Sequence, residues 1–167
     1  MFQAGDKIVY PMHGAGVIEA IEEREVLGQN HRYYIVKLPI GDMNVMIPLE
    51  NASGIGIRSI ISLDESMHVL QRFREAEIEG QENWNKRYRE NMLKIRSGDI
   101  DSVAVVVKNL MYRDRQKGLS TGERKMLTTA KQILLSELLL VQDTTEEALE
   151  QILSESIDLY VEKKATS

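Results

Sequence analysis

A chain of 167 residues, 43% apolar and 28% charged, can bury one ordinary core or two small ones and is too short for a large barrel or a long repeat array. It contains no cysteine, which excludes disulfides, thiolate metal sites and cysteine nucleophiles. The net charge of −5 hides an asymmetry: residues 86–131 hold 12 basic and 5 acidic side chains, whereas residues 132–167 hold 2 and 8. An acidic chain with a basic middle can use that middle as a solvated helix surface or to attract phosphates. No apolar run approaches the ~20 residues that span a bilayer, and Met1 to Lys7 lack a charged-then-apolar leader pattern. A cytoplasmic protein is expected.

The first sixty residues read as strands. Lys7–Tyr10, Gly16–Ile21, Tyr33–Leu38 and Asn44–Pro48 are short and rich in β-branched and aromatic residues. Pro11 and Gly14 interrupt the chain after the first, while Gly28-Gln29-Asn30 and Gly41-Asp42 suit tight hairpins. Such strands most economically close into a small β-barrel, since an open sheet of this size leaves its edges unprotected. From about Ser62 the period becomes helical. Helices are expected over Asp64–Arg74, Asn83–Arg96 and Asp101–Arg115, the last two stopped by Ser97-Gly98 and Gly118. Ser120-Thr121-Gly122-Glu123 and Thr144-Thr145-Glu146-Glu147 have capping-box spacing for two more. Val103, Val106, Val107 and Leu110 form one stripe, Leu149, Ile152, Leu153 and Ile157 another, and the helix after Ser120 is apolar around most of its circumference, as suits a central helix. The expectation is an α+β protein: a barrel over residues 1–60 and an all-α bundle of about five helices over residues 61–163.

Catalytic machinery is hard to find. His13, His31 and His68 are scattered, with no helical metal-pair spacing. Gly14-Ala15-Gly16 and Gly54-Ile55-Gly56 lack the third glycine and the βαβ context of a dinucleotide loop, and read as turn or bulge glycines. No enzyme, no metal and no cofactor are expected.

Two places carry more information. If Val45, Ile47 and Leu49 point into the barrel, the period of two sends Met46 and Pro48 outward, on a strand where proline removes a ladder donor. That is an edge strand, either covered by the helices of the same chain or open to a partner. Trp84 lines up with Tyr88, Met92 and Ile95 at helical spacing, which suits a core residue. Its neighbours Lys86, Arg87, Arg89, Lys94 and Arg96 suit the other reading, an aromatic projecting from a basic platform to wedge between bases.

The run Gly5-Asp6-Lys7-Ile8-Val9-Tyr10-Pro11-Met12-His13-Gly14-Ala15-Gly16, followed by Met46-Ile47-Pro48 and Asn51, closely resembles the N-terminal module of the CarD/CdnL family of bacterial transcription factors, shared with transcription-repair coupling factors. Asn83-Trp84-Asn85-Lys86-Arg87-Tyr88, Ser97-Gly98-Asp99, Arg113-Asp114 and Gly118-Leu119-Ser120-Thr121-Gly122-Glu123-Arg124-Lys125-Met126-Leu127 resemble the helical domain that the coupling factors lack. The resemblance implies a Tudor-like barrel that binds the RNA polymerase β subunit, with Arg24, Met46 and Pro48 at matching positions. Some members carry arginine where this chain has Met46. It further implies a helical domain on promoter DNA, with Trp84 wedged into the minor groove at the upstream edge of the bubble and Lys86, Arg89 and Arg124 on the backbone, stabilising the open complex. A monomer is expected, with a domain-swapped dimer as the other assembly, at the nucleoid through polymerase.

The reading from a different class is an adaptor that docks on polymerase or another partner without touching DNA, and the exposure of Trp84 separates the two. An RNA-binding barrel is disfavoured because the barrel segment is acidic and Tyr10, Tyr33 and Tyr34 suit the core or the strands better than a stacking platform.

Overall fold

The structure is a computed structural model that describes residues 2–78 and 83–166. Strands β1 (Lys7–Tyr10), β2 (Gly14–Val26), β3 (Gln29–Lys37), β4 (Asn44–Pro48) and β5 (Arg58–Ser59) form one antiparallel sheet in the order β4-β3-β2-β1-β5. The sheet buries Ile8, Ile18, Tyr34, Val36, Leu38 and Ile47 in one cluster. Between the end strands β4 and β5 the chain makes a 3-10 turn (Leu49–Asn51) and the short helix α1 (Ala52–Ile55), whose Leu49, Ala52 and Ile55 pack onto that core.

The β2–β3 hairpin is longer than the expected strands. Its turn is Leu27-Gly28, both at positive φ (53° and 78°), instead of Gly28-Gln29-Asn30. Two consecutive positive-φ residues match the right-handed twist of a hairpin, so pairing continues through Glu22–Val26 and Gln29–Arg32. Those residues are mostly exposed, so no buried face imprints a period of two on their sequence. The two-residue β5 and the α1 turn, too short for any periodic signal, were also not expected.

The sheet ends at Ser59, and α2 (Leu63–Glu75), α3 (Trp84–Arg96), α4 (Ile100–Gln116), α5 (Thr121–Val141) and α6 (Glu146–Ala165) follow. Each begins on a side chain that accepts a backbone N–H three residues on: Ser62, Asn83, Asp99, Ser120 and Thr145. Ser62 and Glu65 complete a capping box. The bundle core joins Ala130, Ile133, Leu134 and Leu138 of α5 to Val103, Val106, Val107 and Leu110 of α4 and Leu149, Leu153 and Ile157 of α6. α5 also packs on β2, so the helix expected at the centre touches both halves of the molecule.

One buried cation fixes the chain leaving α2. Lys108 is 1% exposed; its Nζ donates to the carbonyls of Arg74 (3.1 Å) and Ala76 (2.5 Å) and lies over the Tyr160 ring. Burial holds its pKa below the ordinary lysine value. Next to it, Ile78 N donates to Tyr160 Oη (3.0 Å), Tyr160 Oη donates to Glu77, and Lys164 pairs with Glu77 at 3.0 Å. The hydrogen bond and charge of Lys164 hold the Glu77 carboxyl below its ordinary value, and Glu77 in turn raises Lys164. A lowered carboxylate contributes stability above its ordinary value and loses it as pH falls through the lowered one. A raised lysine contributes below its ordinary value and loses it as pH rises through the raised one. The Glu77–Lys164 clip therefore holds across neutral pH. Side-chain NMR titration is expected to place the Glu77 midpoint below that of an ordinary glutamate, and Lys164→Gln to move it upward; an unmoved midpoint would contradict the assignment.

Candidate functional site

Trp84 is the first residue of α3, directly after its cap Asn83, and is 45% exposed. The stripe expected on α3 exists, but it runs from core to surface: Ile95 is buried, Met92 and Tyr88 are half-buried, and Trp84 stands clear. The helix leaves the bundle at its N-terminal end, so helical spacing alone could not distinguish a core tryptophan from a projecting one. Trp84 is nevertheless held in place. Its ring stacks on Tyr88 (centroids 5.0 Å apart, 24° between planes), and its Nε1 donates to Ser120 Oγ at 3.3 Å. A Cβ at Gly122 would sit 3.6 Å from Tyr88 and 3.9 Å from Trp84, so the first turn of α5 forms a floor under both rings.

The cations sort into two groups. Lys86, Arg89 and Arg124 are exposed; Lys86 Nζ lies 4.0 Å from Glu90, Arg124 pairs with Asp114 at 3.3 Å, and Arg89 makes no ion pair among the described residues. Arg87, expected on the surface, instead turns inward. Its Nε meets Glu123 at 2.9 Å, and Arg113 Nε lies 3.8 Å from the other oxygen of the same carboxylate, which is 2% exposed. Glu123 thus ties α3, α4 and α5 together, while its backbone N–H is capped by Ser120. The expected cap at Ser120 is present, but Glu123 does not close the capping box, because its carboxylate turns to Arg87 and Arg113; that ionic knot was not legible, because its partners are remote in the chain. An isolated glutamate in the most basic stretch was the one available signal.

The resulting corner brings Trp84, Lys86 and Arg124 together where α3 and α5 begin, with Arg89 farther along α3. Helix N-termini carry partial positive charge, and their effect adds to that of the exposed cations. An exposed, immobilised aromatic within such a field suits phosphates beside an unstacked base.

The second face lies on the sheet. Arg24 pairs with His31, Tyr33 with Glu22 and Pro48, and Ile35 with Ala20 and Met46. Alternation along each strand then places Arg24, Met46 and Pro48 on one face. Arg24 is braced by Glu22 at 2.9 Å, His31 by Glu50 at 2.8 Å, and Met46 is 42% exposed. β4 is an end strand that pairs with β3 alone, and α5 docks on β2, so among the described residues no helix packs extensively on this edge.

The histidines have local roles. His13 stacks on Tyr10, His31 faces Glu50, and His68 lies 3.8 Å from Asp64. Among the described residues no cluster of three or more His, Asp or Glu side chains is placed to hold a metal, and no helix is long and apolar enough to cross a membrane.

The chain is similar to known proteins over both of its halves. The CarD-like/TRCF RID domain family matches residues 2–61, and the family described as CarD, C-terminal domain, matches residues 68–154. YdeB of Bacillus subtilis (strain 168), which carries a transcription-factor name, is 41% identical over 149 residues, covering 89% of this chain and 97% of YdeB. Among solved structures, CdnLNt from Myxococcus xanthus is 40% identical over 37% of this chain and 87% of its own, with a TM-score of 0.33. The solution NMR structure of the 72-residue N-terminal domain of Myxococcus xanthus CarD is 30% identical over 35% and 79%, with a TM-score of 0.31. Family matches over both halves and a relative of nearly full length agree: the chain belongs to the CarD/CdnL family of transcription regulators.

Proposed function

We propose that the chain binds the β subunit of RNA polymerase through the sheet face of Arg24, Met46 and Pro48. It contacts promoter DNA through Trp84, Lys86, Arg89 and Arg124, and stabilises the open promoter complex with Trp84 as a wedge at the upstream edge of the bubble. The observation that carries this reading is Trp84: half-exposed, yet stacked and hydrogen-bonded into one orientation beside exposed cations. A free surface tryptophan has no such support, and a core tryptophan no such exposure.

Phosphate contacts and a wedge read little sequence, so the protein acts at many promoters and polymerase supplies placement. Tethering raises the local concentration of the helical domain at one DNA position, which lets an acidic protein work through a modest basic corner. The protein acts in the cytoplasm, at the nucleoid through polymerase, as a binding protein without a reaction of its own.

Free duplex DNA should bind weakly. With three phosphate contacts, from Lys86, Arg89 and Arg124, the log–log salt dependence of the binding constant is expected to have a slope of about −3. Tight, salt-insensitive binding of naked DNA would contradict the reading. The decisive experiment measures open-complex lifetime with cognate polymerase. The wild-type chain should prolong it, and Met46→Ala/Pro48→Ala should lose the effect together with polymerase binding while folding normally, since neither side chain is in the core. A wild type that binds polymerase without changing the lifetime would leave an adaptor that does not touch DNA.

A further inference from the structure

The joint between sheet and helices includes Met12 and Ile40 packed on the bundle core, but its buried centre is polar where an apolar one was available. α5 reads Ile133-Leu134-Leu135-Ser136-Glu137-Leu138-Leu139, an apolar run interrupted by two polar residues, both buried. Glu137 is 0% exposed. Its two oxygens accept from Arg58 of β5 at 2.7 and 2.8 Å, and one also accepts from Ile61 N at 3.0 Å. The same guanidinium donates through Nε to Gly98 O at 2.9 Å, in the connection between α3 and α4. One residue earlier on α5, Ser136 Oγ accepts from Ala15 N at 2.8 Å. It packs so closely that a Cβ at Gly14, which sits at φ 112°, would lie 2.5 Å from that hydroxyl.

A buried ion pair is a poor way to gain stability, because well-packed apolar residues of similar volume usually do as well or better. What the forked guanidinium–carboxylate pair adds is direction, since two parallel bonds tolerate one relative orientation. α5 extends that orientation to the DNA corner. Ser120 at its start holds the indole of Trp84, and Ser136 and Glu137 hold the barrel about 24 Å further along the helix axis at 1.5 Å per residue. The bond from Arg58 to Gly98 ties in the far end of α3.

We propose that Arg58 and Glu137, with Ser136 on Ala15 N, are positioning residues that set the separation between the polymerase-binding face and Trp84, and that stabilisation of the open complex depends on this fixed separation. The inference rests on the function proposed above. Two contacts joined by a rigid span of the right length reinforce each other, whereas a loose joint dilutes the second contact over many positions.

The test is the double variant Arg58→Met/Glu137→Leu, which replaces the pair with apolar residues and is expected to melt near the wild type. Because the chain has no cysteine, spin labels at Glu23→Cys on β2 and Leu93→Cys on α3, both exposed, report the distance between the domains by pulsed EPR. Wild type should give one narrow distribution and the double variant one at least twice as broad. At saturating protein, the variant's open-complex lifetime should fall at least threefold, with polymerase affinity within twofold of wild type. A variant distribution as narrow as wild type overturns the proposal, as does a broad one with an unchanged lifetime. Should the double variant not fold, Glu137→Gln, which keeps the volume and an acceptor for Ile61 N, takes its place with the same two criteria. If wild type itself does not lengthen the lifetime, the proposed function fails and takes the dependence on separation with it, while the EPR widths still decide whether the pair sets the joint.

Discussion

Trp84→Ala is expected to shorten the lifetime of the open complex by about tenfold while leaving the protein folded and bound to polymerase. Stacking of an aromatic on an unstacked base contributes about 1–3 kcal/mol, and each 1.4 kcal/mol is a factor of ten. The structural cost is of similar size but leaves the bundle core intact. The side chain is half-exposed, so its removal forfeits an aromatic pair with Tyr88 worth about 0.5–1.5 kcal/mol and one hydrogen bond to Ser120 worth about 1 kcal/mol. That corresponds to a decrease of several degrees in the melting temperature of a chain this size. Trp84→Phe sharpens the test, since it keeps a ring on Tyr88 and loses only the bond to Ser120; it should retain most of the lifetime. Loss of the folded state in Trp84→Ala, or an unchanged lifetime with intact polymerase binding, would remove Trp84 from the role proposed for it.

Arg58→Ala is expected to destabilise the fold by about 3 kcal/mol, near the lower end for breaking a buried ion pair because the arginine itself keeps some contact with solvent. The change leaves Glu137 fully buried with only Ile61 N as a donor from its former set. At about 2–4 °C per kcal/mol for this chain length, the melting temperature should fall by roughly 6–12 °C. Glu137→Gln, which keeps one acceptor and removes the charge, should cost less. Thermal unfolding by circular dichroism measures both. A loss below about 1 kcal/mol for Arg58→Ala would mean that water reaches Glu137 once the guanidinium is gone. The contrast with the double apolar variant matters, because removing one partner measures an unpaired charge, whereas replacing both measures what the pair adds to the geometry.

How much could be read beforehand depended on how local the cause was. The cap Ser120 and the buried stripes of α4, α5 and α6 were legible because each is a pattern within one helix, whereas the last helix is capped by Thr145, one residue after the Thr144 of the capping-box spacing. Met46 and Pro48 were legible as an outward pair because alternation along β4 is equally local. The hairpin turn was misplaced by one residue, since Leu27 adopts the left-handed conformation more often taken by Asn or Gly. Arg87 was assigned to the surface because nothing near it reveals that Glu123, beyond the next helix, would draw it inward.

The sequence by itself determined the long helices, the cores of the four longer strands, where most helices start, and which stripes are buried, because propensity, capping and periodicity act over a few residues. It also placed the chain in its family through runs of matching residues in both the strand and the helical halves. Only the tertiary structure decided that Trp84 leaves the core, that among the described residues no helix packs extensively on β4, that Arg87 and Arg113 share Glu123, and that Arg58 meets Glu137. Each of those outcomes depends on groups brought together from separate elements, where burial, desolvation and charge pairing are settled by packing.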